Sequence, residues 1–147
     1  MKILTSVVLI FAFAGISAGQ QVTNKDIKKF CKGFITAVNK HDLSACLNYF
    51  DNDYRVAQHD KFLGGNTKQF VEEFLAGYSE KLAPDGNMYV PDFDNIGNIE
   101  LTAIDFAGEN ECYVIFRITL KSENYFEAGV MIHYYSKKKM GFVGAMG

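Results

Sequence analysis

Apolar residues recur at steps of three and four along the first third of the chain. Ile27, Phe30, Cys31, Phe34, Ile35 and Val38 fall on one side of a helix over residues 24–40, with Asn24 as its cap. Lys25, Lys28, Lys29, Lys32 and Lys40 occupy the other side, as on a surface helix whose stripe meets a core. His41-Asp42 ends this helix. Asp42 can cap a second, short one, because its carboxylate can accept from free first-turn amides. Leu43, Cys46, Leu47 and Phe50 then share a side. Asp51-Asn52-Asp53 reads as a breaker, and Tyr54 to Gln58 as a short extended stretch. Gly64-Gly65-Asn66 is a break followed by a cap. Thr67 to Leu82 is a second long helix, with Phe70, Val71, Phe74, Leu75 and Tyr78 on its stripe. Pro84-Asp85-Gly86-Asn87 has strong turn chemistry. Pro91 leaves Met88 to Ile96 either an edge strand or a long loop.

After Asn98 the period changes from 3.6 to 2. Asn98–Phe106 predicts a strand, with Ala107-Gly108-Glu109-Asn110 as a hairpin turn. Glu111–Lys121 alternates, with Cys112, Val114, Phe116, Ile118 and Leu120 on one face. Tyr125–Tyr135 does the same with Phe126, Ala128, Val130, Ile132 and Tyr134. A lysine turn and Met140–Ala145 complete an antiparallel meander with one apolar face. Helices gathered on one face of such a sheet make an α+β domain. A long first helix lying in a curved sheet would leave a pocket at the open end.

The stretch Phe34-Ile-Thr-Ala-Val-Asn-Lys-His-Asp-Leu-Ser-Ala-Cys-Leu-Asn-Tyr-Phe50, with this element order, resembles the nuclear transport factor 2-like superfamily over residues 24–146. The resemblance implies a cone of curved sheet around a long helix. It is closest in kind to small secreted members with a cysteine in each of the first two helices. The superfamily holds ketosteroid isomerases, scytalone dehydratase-like proteins and polyketide cyclases beside many binding and dimerising modules, so fold alone assigns no activity. Aligned on the Asp-Leu step, the isomerase's oxyanion-binding tyrosine is replaced by Phe34, which has no hydroxyl. Its general base is replaced by Gln58, an amide that takes no proton near neutral pH. A late-strand acid falls near Glu127. The resemblance also implies that the outer sheet face is a dimer interface.

The first nineteen residues are a separate object. Lys2 precedes a nearly continuous apolar run, Ile3 to Ala14, and Ser17-Ala18-Gly19 offers small residues for a cut before Gln20. This predicts a secretory signal peptide over 1–19 and a single secreted domain over 20–147. The run is about 12 residues, short of the roughly 20 that span a bilayer. Cleavage removes one cation and no acid, leaving 14 Lys+Arg against 17 Asp+Glu. That mildly acidic balance gives no footprint for nucleic acid. Lys137-Lys138-Lys139 is the one basic run, at a hairpin tip.

Candidate chemistry is sparse. His59-Asp60 is a possible base and orienting carboxylate at the pocket mouth. As neighbours on a strand, however, they would point to opposite faces. With Glu127 they are the catalytic candidates of an isomerase or dehydratase. His41-Asp42 is explained by its place between two helices. Histidines at 41, 59 and 133 form no metal-ligand pattern, and no phosphate loop or nucleophile elbow is present, so no cofactor is expected. Cys31 and Cys46 lie on inward stripes of two helices joined by a tight turn. They are expected to form a disulfide around 14 intervening residues, the alternative being two buried free thiols. Cys112 is the odd cysteine. Phe34, Val38, Gln58, Phe116 and Ile118 are the expected lining of a small apolar pocket. Tyr125, Met131, His133 and Tyr135 are the expected dimer face. The leading expectation is a secreted, non-enzymatic module that dimerises or binds a small apolar ligand. The alternative is an enzyme working in the cone. A cystatin-type inhibitor is not supported, since Gln21-Val22-Thr23-Asn24 lacks the required hairpin motif.

Overall fold

The computed structural model describes residues 21–77 and 90–145. The predicted leader, the end of the second long helix and the Pro84 turn lie outside them. The chain forms α1 (Asn24–Asn39), α2 (Leu43–Cys46), α3 (Asn52–Arg55) and α4 (Thr67–Ala76). Four strands follow: β1 (Ile96–Phe106), β2 (Glu111–Leu120), β3 (Tyr125–Ser136) and β4 (Lys139–Ala145). It is an α+β fold. The strands make one antiparallel sheet in the order β1-β2-β3-β4.

The cap of α1 is Thr23 rather than Asn24. The backbone N–H and the hydroxyl of Thr23 both donate to the Asp26 carboxylate, at 2.9 and 2.6 Å. These bonds hold the Asp26 carboxyl below the usual carboxylate range, the hydroxyl being the larger cause. Ile27, Cys31, Phe34, Ala37 and Val38 of α1 are buried. The helix ends through His41 at φ 55, a left-handed conformation that non-glycine residues adopt at a small cost. Asp42 then caps α2, accepting from the Ala45 amide at 2.9 Å. At the end of α1, Asn39 reaches across to β1. Its Oδ1 accepts from the Ile99 N–H at 3.0 Å, beside the register shift between Ile96 and Asn98.

One segment departs from the sequence expectation. Tyr54 to Gln58 is helical, not extended: α3 runs directly into a π-helical segment, Val56–Phe62. The cause is Asp51, whose Oδ1 accepts from the Asp53 and Tyr54 amides at 3.0 and 3.3 Å. The acidic triplet that looks like a breaker also starts the next turn. Asn66 caps α4 as expected, accepting from the Gln69 amide at 3.1 Å. Residues 90–95 are loop with a single 3-10 turn at Phe93–Asn95, rather than an edge strand.

In the sheet, Cys112, Val114, Phe116 and Ile118 of β2 pair with Ile132, Val130, Ala128 and Phe126 of β3. All eight are buried on the helix side. Register shifts in β1 and between β3 and β4 bend the sheet around the helices. The segment after α2 meets the last strand: Phe50 forms an isolated parallel bridge with Phe142, and the Asp51 N–H donates to the Phe142 carbonyl at 2.9 Å. Gly141 permits this closure. A Cβ there would stand 2.5 Å from the Asp51 nitrogen.

Candidate functional site

The inner face of the sheet is where a pocket is expected. Phe34, Val38, Phe116 and Ile118 are all fully buried. The Phe34 ring is met by Phe142 at 4.8 Å, by Phe74 and Phe116 at 5.8 Å, by Tyr49 at 5.9 Å and by Phe50 at 6.1 Å. These rings pack edge-on or tilted, as aromatic cores do. Gln58, the fifth expected lining residue, is exposed on the π-helical segment. An open groove of about 850 Å³ lies at the other end of the molecule, lined by Val22, Phe106, Glu109, Asn110, Tyr134 and Tyr135 among others. It contains none of the five.

The expected Cys31–Cys46 disulfide is a correction: all three cysteines are buried free thiols. Cys31 lies beside Cys112 of the sheet, whereas the charged neighbour of Cys46 is Asp42, at the start of its own helix. The two stripes face one core but at different places in it. Burial, the largest cause at each, pushes all three thiols up to about 12.

His59 and Asp60 are brought together, against the strand-based expectation. In the π-helical segment the His59 ring is turned inward and 7% exposed. It lies 5.3 Å from the Phe70 ring. Its Nδ1 is 2.5 Å from Asp60 Oδ1. Its Nε2 is 2.9 Å from Thr67 Oγ1, at the first position of α4. Arg55 Nη1 donates to the other Asp60 oxygen at 3.3 Å. A consistent assignment has the Nδ1 proton donated to Asp60, which leaves Nε2 to accept from the threonine hydroxyl. Thr67 was not legible as a partner, because the bond depends on the π-helical path between them.

Glu127 is elsewhere. It lies on the sheet face away from the helices, 3.1 Å from Arg117 Nη2. Arg117 also reaches Glu100 at 3.7 Å and stacks over Tyr125 at 5.1 Å. The three catalytic candidates therefore do not converge on one pocket.

Tyr125, Met131, His133 and Tyr135 share that same outer face with Tyr113 and Ile115. Across the ladder Tyr113 pairs with Met131, Ile115 with Gly129 and Thr119 with Tyr125. Tyr125 and Tyr135 are 58% and 57% exposed. The rings of His133 and Tyr135 are 4.6 Å apart, and Lys139 Nζ stands 4.7 Å over the Tyr135 ring. Among the described residues, no cluster of His, Cys, Asp or Glu could hold a metal ion, and no helix is long and apolar enough to cross a membrane.

Comparison with protein-family models, with curated proteins and with solved structures gave no match.

Proposed function

We propose that this chain is a secreted, self-associating module of nuclear transport factor 2-like type, with the outer face of its sheet as the surface on which a second copy docks. One observation carries the reading: the contrast between the two faces. The inner face is filled by the chain's own aromatic rings, and four of the five residues expected to line a pocket are part of that filling. The outer face presents Tyr113, Ile115 and Met131 at its middle, with exposed Tyr125 and Tyr135 toward its ends. Apolar and aromatic residues at the centre of a patch, with charged pairs such as Arg117–Glu127 beside them, suit a protein interface. An antiparallel sheet with one solvated face ordinarily alternates apolar with polar side chains. Here the outward positions of β2 and β3 include apolar and aromatic ones.

The test is sedimentation of the protein recovered from the medium of secreting cells. A concentration-dependent dimer is expected. Met131→Ala and Tyr135→Ala should each weaken it about tenfold, or about 1.4 kcal/mol. A wild type that stays monomeric at high concentration, or variants with unchanged affinity, would remove the reading.

A further inference from the structure

The dimer reading leaves the Asp60–His59–Thr67 chain unused. We propose that these three residues form a nucleophile relay that takes up the acyl group of small, activated esters, with Thr67 as nucleophile and His59 as its base. The inference is independent of the outer sheet face, which lies on the other side of the sheet from the helices.

Three observations carry it. The first is order along the relay. A hydroxyl hydrogen-bonded to an imidazole, itself oriented by a carboxylate, is the arrangement by which a weak nucleophile is activated. Here the two links are 2.9 and 2.5 Å, and Arg55 secures the far carboxylate oxygen. The second is where the hydroxyl stands. Thr67 is the first residue of a ten-residue helix. Asn66 satisfies the Gln69 amide with its side chain and the Phe70 amide with its carbonyl. The amides of Thr67 and Lys68 have no acceptor within the helix, as is general for a first turn. Both belong to, or adjoin, the residue that carries the nucleophile, where backbone donors can meet a developing oxyanion. The third is access. His59 is buried, but Thr67 is only partly so. The turn before it is Gly64-Gly65, and a Cβ at either glycine would meet nothing within 4 Å. The backbone of this turn is tied to the relay, because the Gly65 N–H donates to the His59 carbonyl at 2.8 Å. Residues 64 and 65 therefore place no side chain of their own beside the start of the helix.

The step balances without a cofactor. Thr67 Oγ1 bonds to the ester carbonyl carbon as its proton passes to His59 Nε2, and the carbonyl electron pair moves onto oxygen. Collapse re-forms the carbonyl and breaks the bond to the alcohol, which leaves with the proton from Nε2. Acyl-Thr67 remains. Water then attacks this ester, giving its proton to Nε2, and the proton returns to Oγ1 as the carboxylic acid departs. Asp60 keeps its hydrogen bond to Nδ1 throughout and steadies the imidazolium.

The probe is p-nitrophenyl acetate, incubated with the full chain and followed by nitrophenolate release and by peptide mass mapping. The expected result is release above the buffer rate, with one acetyl on Thr67. Thr67→Val should return the rate to that of buffer, and Thr67→Ser should retain turnover. His59→Gln should lower kcat by about 100-fold. Asp60→Asn, acting only through the ring, should lower kcat while leaving KM unchanged. Release at the buffer rate by wild type, equal rates for wild type and Thr67→Val, or acetyl found on lysines alone would each overturn the proposal. Mapping on the wild type keeps it falsifiable if a variant fails to fold.

Discussion

The three thiols behave alike because each has lost its water. At pH 8 a cysteine pushed up to about 12 is protonated, and the thiol form is a poor nucleophile. Native protein should therefore leave a disulfide-exchange reagent uncoloured at that pH. The same protein unfolded without reductant should titrate three thiols, and a count of one would restore the bridge between Cys31 and Cys46. Helical periodicity puts both cysteines on inward stripes, and both are indeed fully buried. Periodicity assigns a side of a helix, not a partner across the core, so the pairing was beyond it. The same limit hid Thr67 from His59. Conversely, Asp42 and Asn66 were legible as caps, because a cap is a local arrangement within four residues.

Elements were legible in proportion to how regular their period is. β2 and β3 alternate almost throughout: of the residues the alternation marks, all but the half-buried Leu120 are buried, and Gly129 is buried outside the alternation. The stretch after Phe50 has no such period, and Asp51-Asn52-Asp53 can end one element or begin another. Only the closure of Phe50 onto Phe142 puts the Asp51 side chain where it captures two amides. Two junctions invite measurement. Asn39→Ala removes the acceptor of the part-buried Ile99 N–H and should cost about 1–3 kcal/mol in urea unfolding. At the start of α1, the Thr23 bonds depress the Asp26 carboxyl. A carboxyl lowered by folding adds stability above the ordinary carboxylate range and gives it up as pH falls through the lowered value. Thr23→Ala should thus melt below wild type at neutral pH, and the gap should narrow as pH falls through the lowered value and the Asp26 carboxyl becomes protonated in both proteins. A gap independent of pH would assign the loss to helix propensity alone.

At the scale of the molecule, the α+β class followed from the order of periods, helix before strand. The state of the interior did not, because whether a curved sheet encloses space or rings is a property of summed volumes. Phe34→Ala, which empties the position ringed by five aromatics, should cost about 3–5 kcal/mol by denaturant titration. A much smaller loss would mean that the neighbouring rings close over the gap. The Phe142 ring belongs to this cluster, meeting Phe30, Phe34, Phe50, Phe74 and Phe116 at 4.8–6.0 Å. It stands on β4, which follows the four helices and the other three strands in the chain. During synthesis the helices and the first three strands emerge before it, with their aromatic surfaces still lacking a centrepiece. Contacts of such long sequence separation are slow to form. Until β4 arrives the interior cannot shut, and the nascent chain holds an unsealed cluster of phenylalanines, the kind of surface that chaperones exist to guard.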